Sequence, residues 1–145
     1  MEDDGFAREQ LHFAARDGDL ARVKQLVEAG YDVNAFDDGL NRTPLHYAAA
    51  GEFFAVADFL LSAGANINAH DEEHIGETPL GGVAASCSFE MAKLLIDAGA
   101  NPTIPGWMGL TAIHRAKERK KPAGVKVYEL LVKAAIEKFR YEAPR

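Results

Sequence analysis

Residues 43–69 read TPLHYAAAGEFFAVADFLLSAGANINA, and residues 78–104 read TPLGGVAASCSFEMAKLLIDAGANPTI. The two stretches align without a gap, and more divergent copies begin at Gln10 and Thr111. An Ala-Gly pair near the end of the copies recurs at positions 29–30, 63–64 and 98–99. A Leu or Ile near the start recurs at steps of 34, 35 and 33 residues, at Leu11, Leu45, Leu80 and Ile113. Two independent anchors with one period indicate four tandem repeats.

The residues of a single repeat predict two short helices that have to stack on those of the next repeat. Thr43 is a typical N-cap residue, and Pro44 follows at the first helical position. Ala48 and Ala49 then allow a neighbouring helix to approach closely. The second helix carries an apolar stripe and ends where Gly64 supplies a left-handed residue. Because neither helix buries its apolar face alone, the units must stack.

These repeats resemble the ankyrin repeat through TPLHYAA, TPLGGVAA, TAIHRA, AGANIN and AGANP. The resemblance covers residues from about 9 to about 134 and implies an all-α solenoid of helix-turn-helix units with β-turn fingers. It divides the chain into an acidic N-terminal tail (1–8), a first repeat that acts as N-terminal cap (9–42), a second repeat (43–77), a third repeat (78–110), and a fourth repeat that acts as C-terminal cap and ends in a longer helix (111–145).

Both ends of the predicted solenoid depart from the repeat pattern. Glu9 and Gln10 stand where the inner repeats have Thr-Pro, which suits an N-terminal cap. The last helix has one apolar side, and its charged side chains predict a polar outer face; these are Lys126, Lys133, Glu137 and Lys138.

Charge is distributed unevenly along the chain, whose net charge is −6. Residues 1–100 contain 6 Lys or Arg and 18 Asp or Glu, a net −12, and residues 101–145 contain 10 and 4, a net +6. An acidic bulk favours a basic partner and disfavours nucleic acid. The basic run from Arg115 to Lys121 has no interleaved aromatic residue for base stacking, so we expect a solvated cap surface there.

The sequence predicts a cytoplasmic protein that is a monomer when free and does not bind a membrane. No window approaches 18 consecutive apolar residues, and the N-terminal MEDDGFAREQ has no apolar signal region. The single cysteine, Cys87, excludes an internal disulfide, and we expect it to be a small buried side chain.

Three histidines, His12, His46 and His114, occupy the same slot of their repeats. The resemblance implies that this histidine bonds to backbone between neighbouring fingers, which is a structural and not a catalytic role. The third repeat has Gly81-Gly82 in that place. Two glycines early in a helix cost about 1 kcal/mol each relative to Ala. We therefore expect either an open site or close packing, under Trp107 or under the Phe53-Phe54 pair.

The stretch HDEEHIG, residues 70–76, places two histidines four residues apart around three acids. On one helix face this spacing would suit a metal ion, but the repeat places the stretch in a finger enlarged by two residues. An exposed turn offers few groups to orient metal ligands. We therefore expect no metal site and no cofactor, and an acidic recognition loop instead.

The resemblance places partner binding at the fingers and at the concave side of the first helices. Large apolar side chains among charged ones are typical of protein interfaces. The predicted partner-binding residues are Phe36, Leu40, Arg42, His70, Asp71, Glu72, Glu73, His74, Ile75, Glu77, Trp107, Met108 and Leu110.

The leading functional hypothesis is a non-catalytic module that binds a partner protein. A narrower alternative is a bacterial immunity-type protein that occludes the active site of a cognate, basic toxin. An enzyme that uses the exposed loop histidines is the remaining class. The sequence contains no nucleophile–base arrangement or phosphate loop that the repeats would bring together, so we predict no catalytic residues.

Overall fold

The computed structural model describes residues 5–73 and 76–142, and the helices pair as the repeats predict. The helices are α1 (Gly5–Arg8), α2 (Gln10–Arg16), α3 (Leu20–Glu28), α4 (Pro44–Ala50), α5 (Phe54–Ser62), α6 (Pro79–Val83), α7 (Phe89–Asp97), α8 (Ala112–Lys117) and α9 (Pro122–Phe139). Within the described residues no β-strand forms. The all-α solenoid expected from the sequence is confirmed.

The helices form two layers. The first helices of the repeats pack in one row, in which α2 contacts α4, α4 contacts α6 and α6 contacts α8. The second helices form the other row, from α3 through α5 and α7 to α9. Small residues line the contact between layers: Ala15, Ala49 and Ala84 are fully buried. Because these side chains end at Cβ, adjacent helices approach closely and Leu side chains fill the remaining space.

Each second helix in the first three repeats ends at a glycine. Gly30, Gly64 and Gly99 have φ of 100°, 100° and 97°, in the left-handed region that only glycine adopts without strain. The chain then turns toward the next repeat. The Ala-Gly pair recurs because this turn needs a glycine with a positive φ.

Asparagine side chains join each such turn to the next one. Oδ1 of Asn34 accepts from the amide of Asn66 at 2.7 Å, and its Nδ2 donates to the carbonyl of Gly64 at 3.1 Å. Asn68 repeats the pattern one unit later, with the amide of Asn101 at 2.7 Å and the carbonyl of Gly99 at 3.3 Å. These bonds satisfy backbone groups that the helix ends leave open.

The three fingers are short loops, each closed by one backbone hydrogen bond. The first finger (37–42) is closed from the amide of Asp37 to the carbonyl of Arg42, at 2.9 Å. In the second finger (71–76) the amide of Gly76 donates to Asp71, and in the third (106–110) the amide of Gly106 donates to Leu110, both at 2.9 Å. In the first and third fingers this closure restricts the backbone of the tip residues.

The outer face of α9 differs from the expected polar cap. Its buried side consists of Gly124, Val127, Leu131, Ala134 and Ala135, which pack toward α7 and α8. Lys126, Lys133, Glu137 and Lys138 are exposed as predicted. Val125 and Ile136 are exposed as well, at 40% and 50%. The outer face therefore exposes both charged and apolar side chains. The apolar residues of the helix extend beyond the side that packs against the solenoid.

No helix in the described part of the chain is long and apolar enough to cross a membrane.

Candidate interaction surface

The first finger is held by a buried carboxylate. Asp37 accepts from the amides of Leu40 and Arg42, both at 3.1 Å, and from the hydroxyl of Tyr47. Burial alone would raise the pKa of Asp37, but these three hydrogen bonds outweigh it and lower the pKa. Burial and the bond to Asp37 raise the pKa of Tyr47 to about 12. The finger is thereby fixed, while Leu40 at its tip is 59% exposed.

The first finger also contacts the N-terminal segment. Arg8 pairs with Asp38 at 2.6 Å, and a carboxylate oxygen of Glu9 accepts from the amide of Asp38 at 2.9 Å. Phe36, at the base of this finger, is 40% exposed, and Arg42 lies over the ring of Tyr47 at 5.9 Å.

Two of the repeated histidines join fingers to helices, as the resemblance implies. Nε2 of His12 lies 2.7 Å from the carbonyl of Ala35, and Nε2 of His46 lies 2.6 Å from the carbonyl of Glu77. Burial lowers the pKa of His46 to about 4, so its ring is neutral at pH 7. His114 accepts only from its own N-cap, Thr111, and is exposed. These roles are structural.

The second finger carries the acidic side chains of the predicted recognition loop. Glu72 and Glu73 are exposed, and Asp71 is half-buried and accepts from the amide of Glu73 at 3.0 Å. His70 is half-buried, with Nδ1 2.8 Å from the carbonyl of Asn68 and Nε2 3.4 Å from Glu72. The predicted contacts His74 and Ile75 lie outside the described residues.

Glu77, directly after the second finger, joins three repeats. Its Oε1 accepts from Nη2 of Arg115 at 2.6 Å and from the amide of Trp107 at 3.0 Å. Its side chain is 24% exposed and that of Arg115 is 23% exposed. Its carbonyl accepts from His46. The predicted contact residue therefore positions the third finger.

Of the Gly81-Gly82 pair, Gly81 makes room for this carboxylate. A Cβ at Gly81 would lie 3.0 Å from Oε2 of Glu77, and a Cβ at Gly106 would collide with the same group. The expected packing under Trp107 or Phe53-Phe54 is wrong, since the ring of Phe53 packs against Gly18 and Gly51. The third repeat has no histidine in its slot, and Glu77 supplies the connection to the following finger.

The third finger exposes its apolar residues. Trp107 is 61% exposed and Met108 71%, and Leu110 is also exposed. Met108 has a φ of 60°, a left-handed conformation that costs a non-glycine residue on the order of 1 kcal/mol. The turn therefore presents the side chains of Trp107 and Met108 to solvent.

A groove of about 380 Å³ lies at the end of the first helices that is remote from the fingers, between the C-terminal ends of α4 and α6 and the start of α9. Glu52 lines it and accepts from the hydroxyl of Ser88 at 2.5 Å, and Arg119 lines it and donates to the carbonyl of Cys87 at 2.8 Å. Cys87 is buried as expected, and burial raises the pKa of its thiol. The two charged side chains thus stabilise the repeat junction and also border open space.

Residues 11–106 match the family model described as ankyrin repeats (3 copies). The chain belongs to the ankyrin-repeat family. No curated protein matches it. Ankyrin repeats are generally protein–protein interaction modules and are typically non-catalytic. Within the described residues of this ankyrin-repeat protein, no group of three or more His, Cys, Asp or Glu is placed to hold a metal ion.

The ankyrin architecture brings the described members of the predicted contact set, which are all but His74 and Ile75, to one edge of the molecule, because the fingers join the ends of second helices to the starts of first helices. The groove residues Glu52, Ser88 and Arg119 were not among the predicted contacts. Glu52 has a φ of 61° at the place where the first repeat has Gly18. A glutamate in a glycine position is the sequence signal that could have identified it.

Proposed function

We propose that this ankyrin-repeat protein is a non-catalytic module that binds one partner protein through its finger loops and the concave side of its first helices. The observation that carries the proposal is the exposure of Leu40, Trp107 and Met108 at the tips of the fingers. Large aromatic and methionine side chains surrounded by polar groups are typical anchors of protein interfaces.

The fingers support this proposal because their tips are held before any partner arrives. Asp37 fixes the first finger through the amides of Leu40 and Arg42, and Glu77, which is paired with Arg115, holds the third finger through the amide of Trp107. A surface that is already ordered loses little conformational entropy on binding. The left-handed Met108 supports the same conclusion, since its conformation exposes the side chain at a cost in stability.

The charge distribution supports a basic partner. Residues 1–100 carry a net −12, and the second finger adds the exposed carboxylates of Glu72 and Glu73 beside the apolar tips. Complementary charge raises the rate of association and disfavours acidic partners. Binding should therefore weaken with added salt, and the association rate should change most.

The experiment is capture from an extract of the source cells, identification by mass spectrometry, and calorimetry with the purified partner. The test variants are Trp107→Ala and Met108→Ala. The matched control is Phe54→Ala, because Phe54 is 41% exposed but begins α5, at the opposite end of its helix pair from the fingers. We expect the tip variants to bind at least about tenfold more weakly and the control to bind like the wild type. Equal affinity for all variants would contradict the proposal.

The immunity-type inhibitor is the narrower form of the same proposal, and the acidic first 100 residues support it. Its test is co-expression with a toxin encoded beside the gene. Protection of the cells that is lost in Trp107→Ala supports inhibition. Tight binding without any effect on the toxin's activity supports an adaptor role.

A further inference from the structure

The outer face of α9 carries an apolar stripe that the described part of the chain covers only in part. Val125 and Ile136 are exposed, and Tyr128 and Val132 between them are half-buried. The helix packs against α7 and α8 on its other side. A shallow depression along the stripe is lined by Tyr128, Glu129, Val132, Lys133, Ile136 and Glu137. This face lies on the last helix and is separate from the groove and the fingers.

The apolar residues of this stripe are arranged symmetrically about Val132. Tyr128 and Ile136 each lie four residues from Val132, and Val125 and Phe139 each lie seven residues from it. In two antiparallel helices related by a two-fold axis, residues equidistant from the central residue face each other. A second copy of α9 would therefore place apolar side chains opposite apolar side chains along the contact.

The charges beside the stripe have the same symmetry with opposite signs. Lys126 pairs with Glu137, and Glu129 pairs with Lys133. In the sequence, the midpoint of each pair lies within one residue of Val132. All four side chains are exposed, and none forms an ion pair with another described residue. In the antiparallel arrangement Lys126 and Lys133 each meet a glutamate of the other copy.

We propose that the outer face of α9 is a homodimer interface, in which two copies pack α9 against α9 antiparallel about a two-fold axis at Val132. The occupant of the stripe is a second copy of this chain, because the charge pattern is complementary to itself. α9 has three Lys and two Glu, so two copies approach without a large net repulsion despite the acidic character of the chain.

The dimer is a weak one. One face of an 18-residue helix is about 27 Å long, and a single helix pair buries less than the roughly 800 Å² per partner of a standard interface. A dissociation constant on the order of 10 µM is consistent with that size. The dimer would present two sets of fingers, so a bivalent or repetitive partner would gain avidity. The proposal differs from the monomer that the sequence predicts for the free protein.

The first experiment is sedimentation of the full chain from about 1 µM to about 1 mM. We expect a concentration-dependent monomer–dimer equilibrium for the wild type and for Phe54→Asp. We expect Ile136→Asp to remain monomeric while its circular dichroism stays that of the wild type. A wild type that is monomeric at the highest concentration, or an Ile136→Asp variant that dimerises normally, overturns the proposal.

Two further variants test the antiparallel register. Lys133→Glu places two glutamates opposite each other on both sides of the two-fold axis, and we expect dimerisation about tenfold weaker. The double variant Glu129→Lys/Lys133→Glu restores opposite charges, and we expect recovery to within about threefold of the wild type. Absence of rescue refutes this register.

Val132→Cys gives an independent readout, because Val132 faces its own copy on the axis and the native Cys87 is buried. Mild oxidation should cross-link Val132→Cys much faster than the control Phe54→Cys, and equal rates count against the interface.

Discussion

Oε1 of Glu77 lies 2.6 Å from Nη2 of Arg115, an ion pair that joins the base of the second finger to the first helix of the fourth repeat. The same oxygen accepts from the amide of Trp107. The finger with the largest exposed side chain is thus held by a carboxylate 30 residues earlier in the chain. Where the first two repeats use a histidine and a carbonyl, this junction uses an acid and an arginine.

Removing that carboxylate should release the third finger. For Glu77→Ala we expect a loss of about 2 kcal/mol in the free energy of unfolding, because Arg115 keeps its charge without its partner. Urea titration measures this loss, and hydrogen exchange at the amide of Trp107 reports the finger directly. The control, Glu73→Ala, removes an exposed acid of the same loop and should change stability by less than about 0.5 kcal/mol. Similar losses for both variants would show that Glu77 has no special role.

Gly106 should not tolerate a side chain while Glu77 is present. Gly106→Ala places a Cβ against the Glu77 carboxylate, and we expect it to cost about 1–3 kcal/mol. Gly39→Ala is the control, because a Cβ there meets nothing within 4 Å. In a double-mutant cycle with Glu77→Ala the cost of Gly106→Ala should largely disappear. If the losses of stability in the two single variants simply add in the double variant, the cost of Gly106→Ala does not come from Glu77.

His46 should make the stability depend on pH between 7 and 5. Burial lowers its pKa from 6.5 to about 4, so the unfolded chain binds the proton first as the pH falls. The stability that the neutral His46 ring contributes is fully present above about pH 6.5 and is lost as the pH falls toward 4. From pH 7 to pH 5 the wild type should lose about 2 kcal/mol more than His46→Gln. Urea titrations at both pH values measure the difference, and the exposed His114→Gln should behave like the wild type.

Met108 should separate binding from stability. Met108→Gly removes the exposed side chain and the strain of a left-handed backbone at a non-glycine residue. We therefore expect the free energy of unfolding to stay unchanged or to rise by up to about 1 kcal/mol. Affinity for the partner protein should fall at the same time. Thermal unfolding and calorimetry test the two effects on one variant. Lower stability would mean that the side chain packs against the finger and does not serve binding.

The asparagine ladder should depend on its amide donors. Asn68→Asp keeps the acceptor for Asn101 but loses the donor to the carbonyl of Gly99 and brings a charge beside it, so we expect a loss of about 2 kcal/mol. Asn66→Asp is the control, because Asn66 uses only an acceptor and the first repeat has Asp32 in that position. Urea titration compares them, and equal losses would argue against the ladder.

The sequence predicted the candidate interaction surface less completely than it predicted the fold. Residues at the finger tips could be located by counting from the repeat, and Leu40, Trp107 and Met108 are exposed there. Counting could not show that Glu77 serves the neighbouring finger, because a tip acid and a positioning acid look alike in the sequence. The contribution of Leu40, Trp107 and Met108 to partner binding stays a prediction.

The sequence by itself determined the repeat, the helix boundaries and the glycines that end the helices, because each of these depends on residues close together in the chain. Thr43, Pro44 and Gly64 act through their own backbone conformations, which a short segment already specifies. Only the tertiary structure decided which side chain fills the gap at Gly81 and which side of α9 stays uncovered. Both depend on contacts between residues that lie some 30 positions apart in the chain. The local periodicity of the sequence does not specify such contacts.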